Sequence, residues 1–304
     1  MRRRTLIWLT LLLIFFLLFL SIKSVVGQGI SYTQAPILLT TLSLIILFTL
    51  YLLTSRYRLW SLSADKIVFL GVGTALYLGL SYTSTVVLNI SLGKLDLRPA
   101  VSIPILFGFA FGPGVGFFTG AVGSLLADFA IGWDVFPLWN IAAGLTGLIP
   151  GFISLFEEEN IPESYVSTGV NALILLSGLA VILFPRAPEP WTGVFQNYSF
   201  WGYLLLLGGA VMAANTYLME QDRLGLISIN LWGALGILLS TLLTSLADIW
   251  VNDFSLASAL IGEYVPYATN DLLNLVIFAP VMMAAYHFAR NHLPGSARAT
   301  RKYP

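Results

Sequence analysis

Apolar runs of about 20 residues recur from one end of the chain to the other, separated by short polar or Gly/Pro-containing breaks. An α-helix of that length crosses roughly 30 Å of hydrocarbon. A membrane barrel would be written instead in ten-residue segments of alternating polarity, and the chain does not read that way. The runs predict ten helices, at about 5–27, 36–55, 67–90, 99–112, 113–133, 138–156, 164–185, 199–218, 225–250 and 267–289. The fourth is short and holds Pro104, which predicts a kink or an incomplete span. Gly112-Pro113-Gly114 separates it from the fifth. The remaining breaks are short polar loops with no room for a soluble domain. The fold class expected is an all-α integral membrane protein.

Composition strengthens that reading. Of 304 residues, 57% are hydrophobic and 10% charged, against about 25% charged in soluble domains. Formal net charge is zero, so no basic footprint for nucleic acid exists. The absence of cysteine removes disulfides and thiolate chemistry, and two histidines, His287 and His292, leave little for a zinc site. No metal and no cofactor is expected.

The distribution of Lys and Arg orients the bundle. Arg2, Arg3, Arg4, Arg56, Arg58, Lys66, Arg223, Arg290, Arg298, Arg301 and Lys302 fall on one side of a ten-helix arrangement. Lys23, Lys94, Arg98 and Arg186 fall on the other. Both termini are therefore expected in the cytoplasm of a multi-pass cell-membrane protein. The basic start, apolar run and small Gly27 also resemble a signal peptide, but the run is long for one, and a retained first helix is the reading adopted.

Two helices share a ladder. In the fifth, Gly112, Gly116, Gly120, Ser124 and Asp128 are spaced by four; in the ninth, Gly236, Ser240, Thr244 and Asp248 are. That spacing keeps residues near one helical face. Small residues on such a face let helices approach closely in lipid, which is the commoner role for the glycines and hydroxyls. The two carboxylates differ, because an ionisable group in the membrane faces a cavity or a partner.

The segments assigned to the outer side are rich in polar and aromatic residues. The loop at 91–98 carries Lys94, Asp96 and Arg98; the turn at 131–140 carries Trp133, Asp134, Trp139 and Asn140. The loop at 250–271 carries Trp250, Asn252, Asp253, Glu263, Tyr264, Tyr267, Asn270 and Asp271. Aromatic walls with a few orienting polar groups are the usual make-up of a small-molecule pocket. The plainer alternatives are an interfacial Trp/Tyr belt and helix capping by Asn140, Asn270 and Asp271. Clustering on one side favours a binding site made from Asp96, Arg98, Asp128, Trp133, Asp134, Trp139, Asn140, Asp248, Asn252, Asp253, Asn270 and Asp271.

The ordered set Leu97-Arg98-Pro99-Ala100, Ile103-Pro104-Ile105-Leu106, Phe111-Gly112-Pro113, Gly116, Gly120 and Leu126-Ala127-Asp128 resembles the substrate-binding S components of energy-coupling-factor (ECF) vitamin transporters. Leu138-Trp139-Asn140 leading to Gly144, Gly147 and Gly151 is similar to their fourth helix, and the stretch from Pro266 to Asp271 to the start of their last. The resemblance implies a six-helix core made of the third to sixth, ninth and tenth helices, with an outward pocket closed by the loop between its first two helices. It also implies a vitamin-like solute and docking on a transmembrane coupling subunit driven by two ATPase subunits. Docking would use small residues four apart on the first core helix, and Gly71, Ala75 and Gly79 fit. The chain then divides into an N-terminal helix pair (1–66), four core helices (67–156), an inserted pair (157–224), two core helices (225–289) and a basic tail (290–304). The extra pairs depart from the family pattern. No Gly-x-x-x-x-Gly-Lys motif for phosphate is present, so the chain is expected to bind and hand over solute rather than act as an enzyme. An ion-coupled secondary transporter using Asp128 and Asp248, or a membrane sensor, are the alternative readings.

Overall fold

The computed structural model describes residues 34–55, 60, 63–88, 91–92, 95–133, 136–159, 161–183, 198–216 and 225–292. Helix α1 spans Gln34–Thr54; α2, Ala64–Tyr82, continues as a π-helical turn, Thr83–Leu88. A hairpin follows, of strands β1 (Ser91–Leu92) and β2 (Leu95–Asp96), with Ser91 opposite Asp96. A 3₁₀ turn, Pro99–Val101, leads into α3, Ser102–Phe111. Next come α4 (Pro113–Ile131), α5 (Pro137–Leu148) and, after a 3₁₀ turn at Pro150–Phe152, α6 (Ile153–Glu158). The chain then forms α7 (Ser164–Leu183), α8 (Tyr198–Thr216) and α9 (Leu226–Val251). A π-helical segment, Ser258–Tyr264, runs directly into α10, Val265–His292.

Among the described residues, six helices are long and apolar enough to cross a membrane: Ala64–Leu88, Pro113–Ile131, Pro137–Glu157, Ser164–Val181, Leu226–Val251 and Ser258–Ala289. Ser43–Thr54, Pro99–Phe111 and Phe200–Ala210 are shorter apolar helices. The architecture is therefore that of a helical membrane protein, and nine of the ten expected helices coincide with helices seen here. The first, at 5–27, lies outside the described residues.

Of the two expectations for the helix that holds Pro104, the incomplete span is met: α3 is one of the shorter apolar helices, and Pro104 lies in its first turn, where backbone N–H groups have no intrahelical partner to lose. Another expectation needs correction. The last helix starts not near 267 but with the π-helical turn at Ser258, so the expected loop at 250–271 shrinks to a few residues after Val251. Ala259, Ile261, Tyr264, Val265 and Ala268 are all buried there; burial of this apolar face against α7 and α9 carries helix into a stretch whose polar residues read as loop.

Glycines set the centre of the bundle. A Cβ at Gly108 or Gly116 would run into the carbonyl of Gly147, and one at Gly120 into that of Ala143. Helices α3, α4 and α5 thus meet backbone to backbone, as small residues allow where no hydrophobic force separates helix from lipid. On α9, Gly236 faces the backbone of Thr146, so the second ladder packs on the same helix. The main core joins Phe107, Phe109, Phe111, Trp232, Ile237 and Leu275 with α7 and α8 through Val170, Ile174, Trp201 and Leu205. A second cluster ties α1 to α4 and α5 through Tyr51, Trp60, Phe118 and Leu125. Trp60 meets Tyr51 edge to face at 5.2 Å and donates Nε1–H to Thr54 Oγ1 at 2.8 Å.

Candidate functional site

Helix α2 has two unlike faces. Gly73 and Tyr77 are buried, Gly73 against Phe107 and Thr119 and Tyr77 against Gly123. Two residues out of phase, about 200° around the helix, Gly71, Ala75 and Gly79 are exposed. No described atom lies within 4 Å of a Cβ built at Gly71 or Gly79. The inward face extends into a pocket at the C-terminal end of the helix, lined there by Tyr77, Ser81, Ser84 and Thr85. Arg98, Ala100 and Val101 close it from the segment after the hairpin. Helix α4 supplies Ser124, Ala127, Asp128 and Ile131, and Trp133 stands at the rim, half exposed. The free space among these residues is about 360 Å³ and includes open solvent.

Each polar wall has a support behind it. Asn140, fully buried on α5, donates Nδ2–H to Asp128 Oδ2 at 2.7 Å and to Ser124 Oγ at 3.0 Å. It braces two pocket residues and caps no helix. Asn270 and Asp271 are also not at a helix start but inside the last helix. Asn270 Oδ1 accepts the Asp96 N–H at 3.1 Å. Asn274, one turn on, accepts the Arg98 N–H at 2.6 Å and donates to the Asp96 carbonyl at 2.9 Å. The last helix therefore grips the backbone on either side of Leu97 and sets where Arg98 stands. Asp271 lies 4.0 Å from the Arg98 guanidinium. Burial works against charge on Arg98, but Asp271, Tyr77, Tyr267 and Asp96 around it hold the guanidinium above its ordinary pKa.

Of the twelve residues expected at a site, Arg98, Asp128 and Trp133 line the pocket, and Asn140, Asn270 and Asp271 support it. Asp96 gives its backbone to that scaffold while its side chain is exposed. Asp134 and Lys94 lie outside the described residues. Asp248, Asn252 and Trp139 do not line the pocket. They form a separate cluster in which Asn252 Nδ2 donates to Asp248 Oδ1 at 3.0 Å, with Glu263 and Trp139 beside Asp248. Trp139 also packs on Tyr267 at 5.3 Å. Asp253 is exposed beyond this cluster with a φ of 55°. The two ladders thus end differently: Asp128 opens on a pocket and Asp248 is buried among side chains.

Two residues were not among the twelve expected at the site. Asn274 was legible as a polar residue one turn beyond Asn270 inside an apolar run. Glu263, fully buried, was read as part of a loop although a charge flanked by Ile261 and Val265 fits a membrane interior position. Among the described residues no three His, Cys, Asp or Glu side chains converge as a metal site.

Residues 61–184 match the family described as "ECF-type riboflavin transporter, S component". A UPF0397 protein of Aliivibrio salmonicida (strain LFI1238) is 31% identical over 147 residues, covering 45% of this chain and 79% of that protein. A UPF0397 protein of Vibrio atlanticus (strain LGP32) is 27% identical over 167 residues, 50% of this chain and 86% of its own length. No solved structure matches the chain.

Proposed function

Because this chain belongs to the family of S components of ECF-type transporters, we propose that it captures a vitamin or cofactor precursor from outside the cell for ATP-driven import. An S component is a membrane-embedded solute-binding subunit that works with an energy-coupling module; it belongs to a class of transporter subunits, not of enzymes. The observation that carries the finer reading is the pocket itself. It sits where the ends of α2 and α4 meet the segment after the hairpin, and it combines a carboxylate, a guanidinium, hydroxyls and an indole. Arg98, Asp128 and Trp133 touch the solute; Asn140, Asn270, Asp271 and Asn274 hold them in place.

The open strip of Gly71, Ala75 and Gly79 supports a second assignment, as the face on which a helix of the coupling subunit packs, itself driven by two ATPase subunits. A stripe without side-chain bulk lets a partner helix approach closely in lipid. In this reading α2 to α6, α9 and α10 form the S-component unit. Helices α1 and α8 lie outside the residues matched to the family, whereas α7 lies within them; α1 is braced on α5, and α7 and α8 on α9 and α10. The pocket end faces outward and both termini lie in the cytoplasm, as the division of Lys and Arg supports.

Riboflavin, named in the description of the matched family, is the first solute to test. The experiment is mass spectrometry of small molecules copurifying with the detergent-solubilised chain, followed by uptake into vesicles holding the chain and its coupling module. A bound vitamin-like compound and uptake that stops without ATP are expected. Uptake that persists without ATP and collapses with an ion gradient would instead assign the chain to secondary transport.

A further inference from the structure

The charges around the pocket are unbalanced in one direction. Asp128 stands on its wall, and the one donor the structure gives that carboxylate is the neutral amide of Asn140, at 2.7 Å. Arg98, on the same wall, is shared: Asp271 lies 4.0 Å away and Asp96 adds its charge from the adjoining strand. Among the described residues this makes three carboxylates around one guanidinium. Arg98 also acts on Asp128 through its charge, so three carboxylates divide one guanidinium and none has it to itself. The positive charge still wanting is supplied by a group that enters the pocket. The walls also favour a cation: Trp133 at the rim and the buried Tyr77 are aromatic, and aromatic faces attract positive charge through their quadrupoles. An anionic ligand would share Arg98 with Asp271 and would meet the like charge of Asp128 on the same wall.

The geometry points to a solute that carries a positively charged, hydrogen-bond-donating nitrogen on a flat ring, with the nitrogen on Asp128 and the ring against Trp133. This rests on the reading of the chain as a solute-binding subunit and narrows it. It also makes a neutral solute such as riboflavin a poorer fit than a cationic one.

The test uses the full chain in detergent and three probes of nearly one shape: benzamidine (a cation at neutral pH), benzamide (neutral) and benzoate (an anion). Binding is read by ligand-observed NMR titration. Benzamidine should bind at least about tenfold more tightly than benzamide, a difference of about 1.4 kcal/mol, with benzoate weakest. Asp128→Asn keeps an oxygen for the Asn140 donor, and it should remove the advantage of benzamidine while leaving benzamide little changed. Tightest binding by benzoate, equal binding of benzamidine and benzamide, or no binding by any of the three overturns the inference. The order in the wild-type chain decides the matter even if the variant does not fold. Failure of the broader reading looks different: benzamidine would be preferred, yet no ATP-driven uptake would occur. Uptake with the wrong probe order sinks only the cationic assignment.

Discussion

On α4, Gly116 and Gly120 are pressed against the backbone of α5, whereas on α2 the similarly spaced Gly71, Ala75 and Gly79 face nothing among the described residues. The two helices are comparable in hydropathy, 1.5 and 1.4, yet 61% of the α4 span is buried against 11% of the α2 span. Small residues every fourth position create a surface that another helix can approach; they do not say which helix. On α4 the approaching helix belongs to the same chain and forms its centre. On α2 the stripe is left over, and Ile67, Val68, Val72 and Leu76 around it are exposed as well. Such a surface is at home against lipid or a partner subunit, and the difference separates residues that hold the fold from residues free to serve an interface.

The sharpest way to break this comparison is to place the same side chain on both stripes. Gly116→Leu has no space at the Gly147 carbonyl and should cost upwards of about 3 kcal/mol, seen as loss of monodisperse protein and a collapsed thermal transition in detergent. Gly71→Leu should stay within about 0.5 kcal/mol of the parent. Equal stability of the two variants would erase the distinction drawn here. Ala75→Leu sharpens it further: the fold and solute affinity of the isolated subunit should persist while copurification of the coupling subunit and uptake are lost. Normal uptake by this variant would return the strip to lipid.

The two ladder carboxylates extend the comparison to the site. Asp128→Asn should weaken solute binding by roughly ten- to a hundredfold, the effect of removing a charged anchor from a pocket. Asp248→Asn, in a cluster outside the pocket, should leave affinity unchanged in the same calorimetric titration. The reverse pattern would move the site to the α9 cluster. A smaller effect on affinity than on stability is expected from Asn274→Ala, which frees the backbone at Asp96 and Arg98 without touching solute. It should cost about 1–2 kcal/mol, and hydrogen exchange at the hairpin should rise more than solute affinity falls.

Local pattern was enough to identify a helical membrane protein and to position nine described helices, because the length and apolarity of a span are properties of the segment itself. It was also enough to mark Arg98, Asp128 and Trp133, since charge and indole are conspicuous in an apolar chain. It misread the start of the last helix and left open whether Asn140 caps its helix or serves the site. A polar residue near a helix end looks the same in sequence whether it caps that end or reaches across to a neighbouring helix.

What only the tertiary structure decided is which of these marked residues meet. Asn270 and Asn274 reach the Asp96–Arg98 backbone across 174 to 178 positions of chain, and no local pattern encodes contacts of that separation. The same holds for the two ladders and the two stripes. Their spacing is written in the sequence. Whether the fourth-position residue ends in a pocket, in a buried cluster, against another backbone or against nothing depends on how the helices cross, and that is set by the glycine contacts at the centre of the bundle.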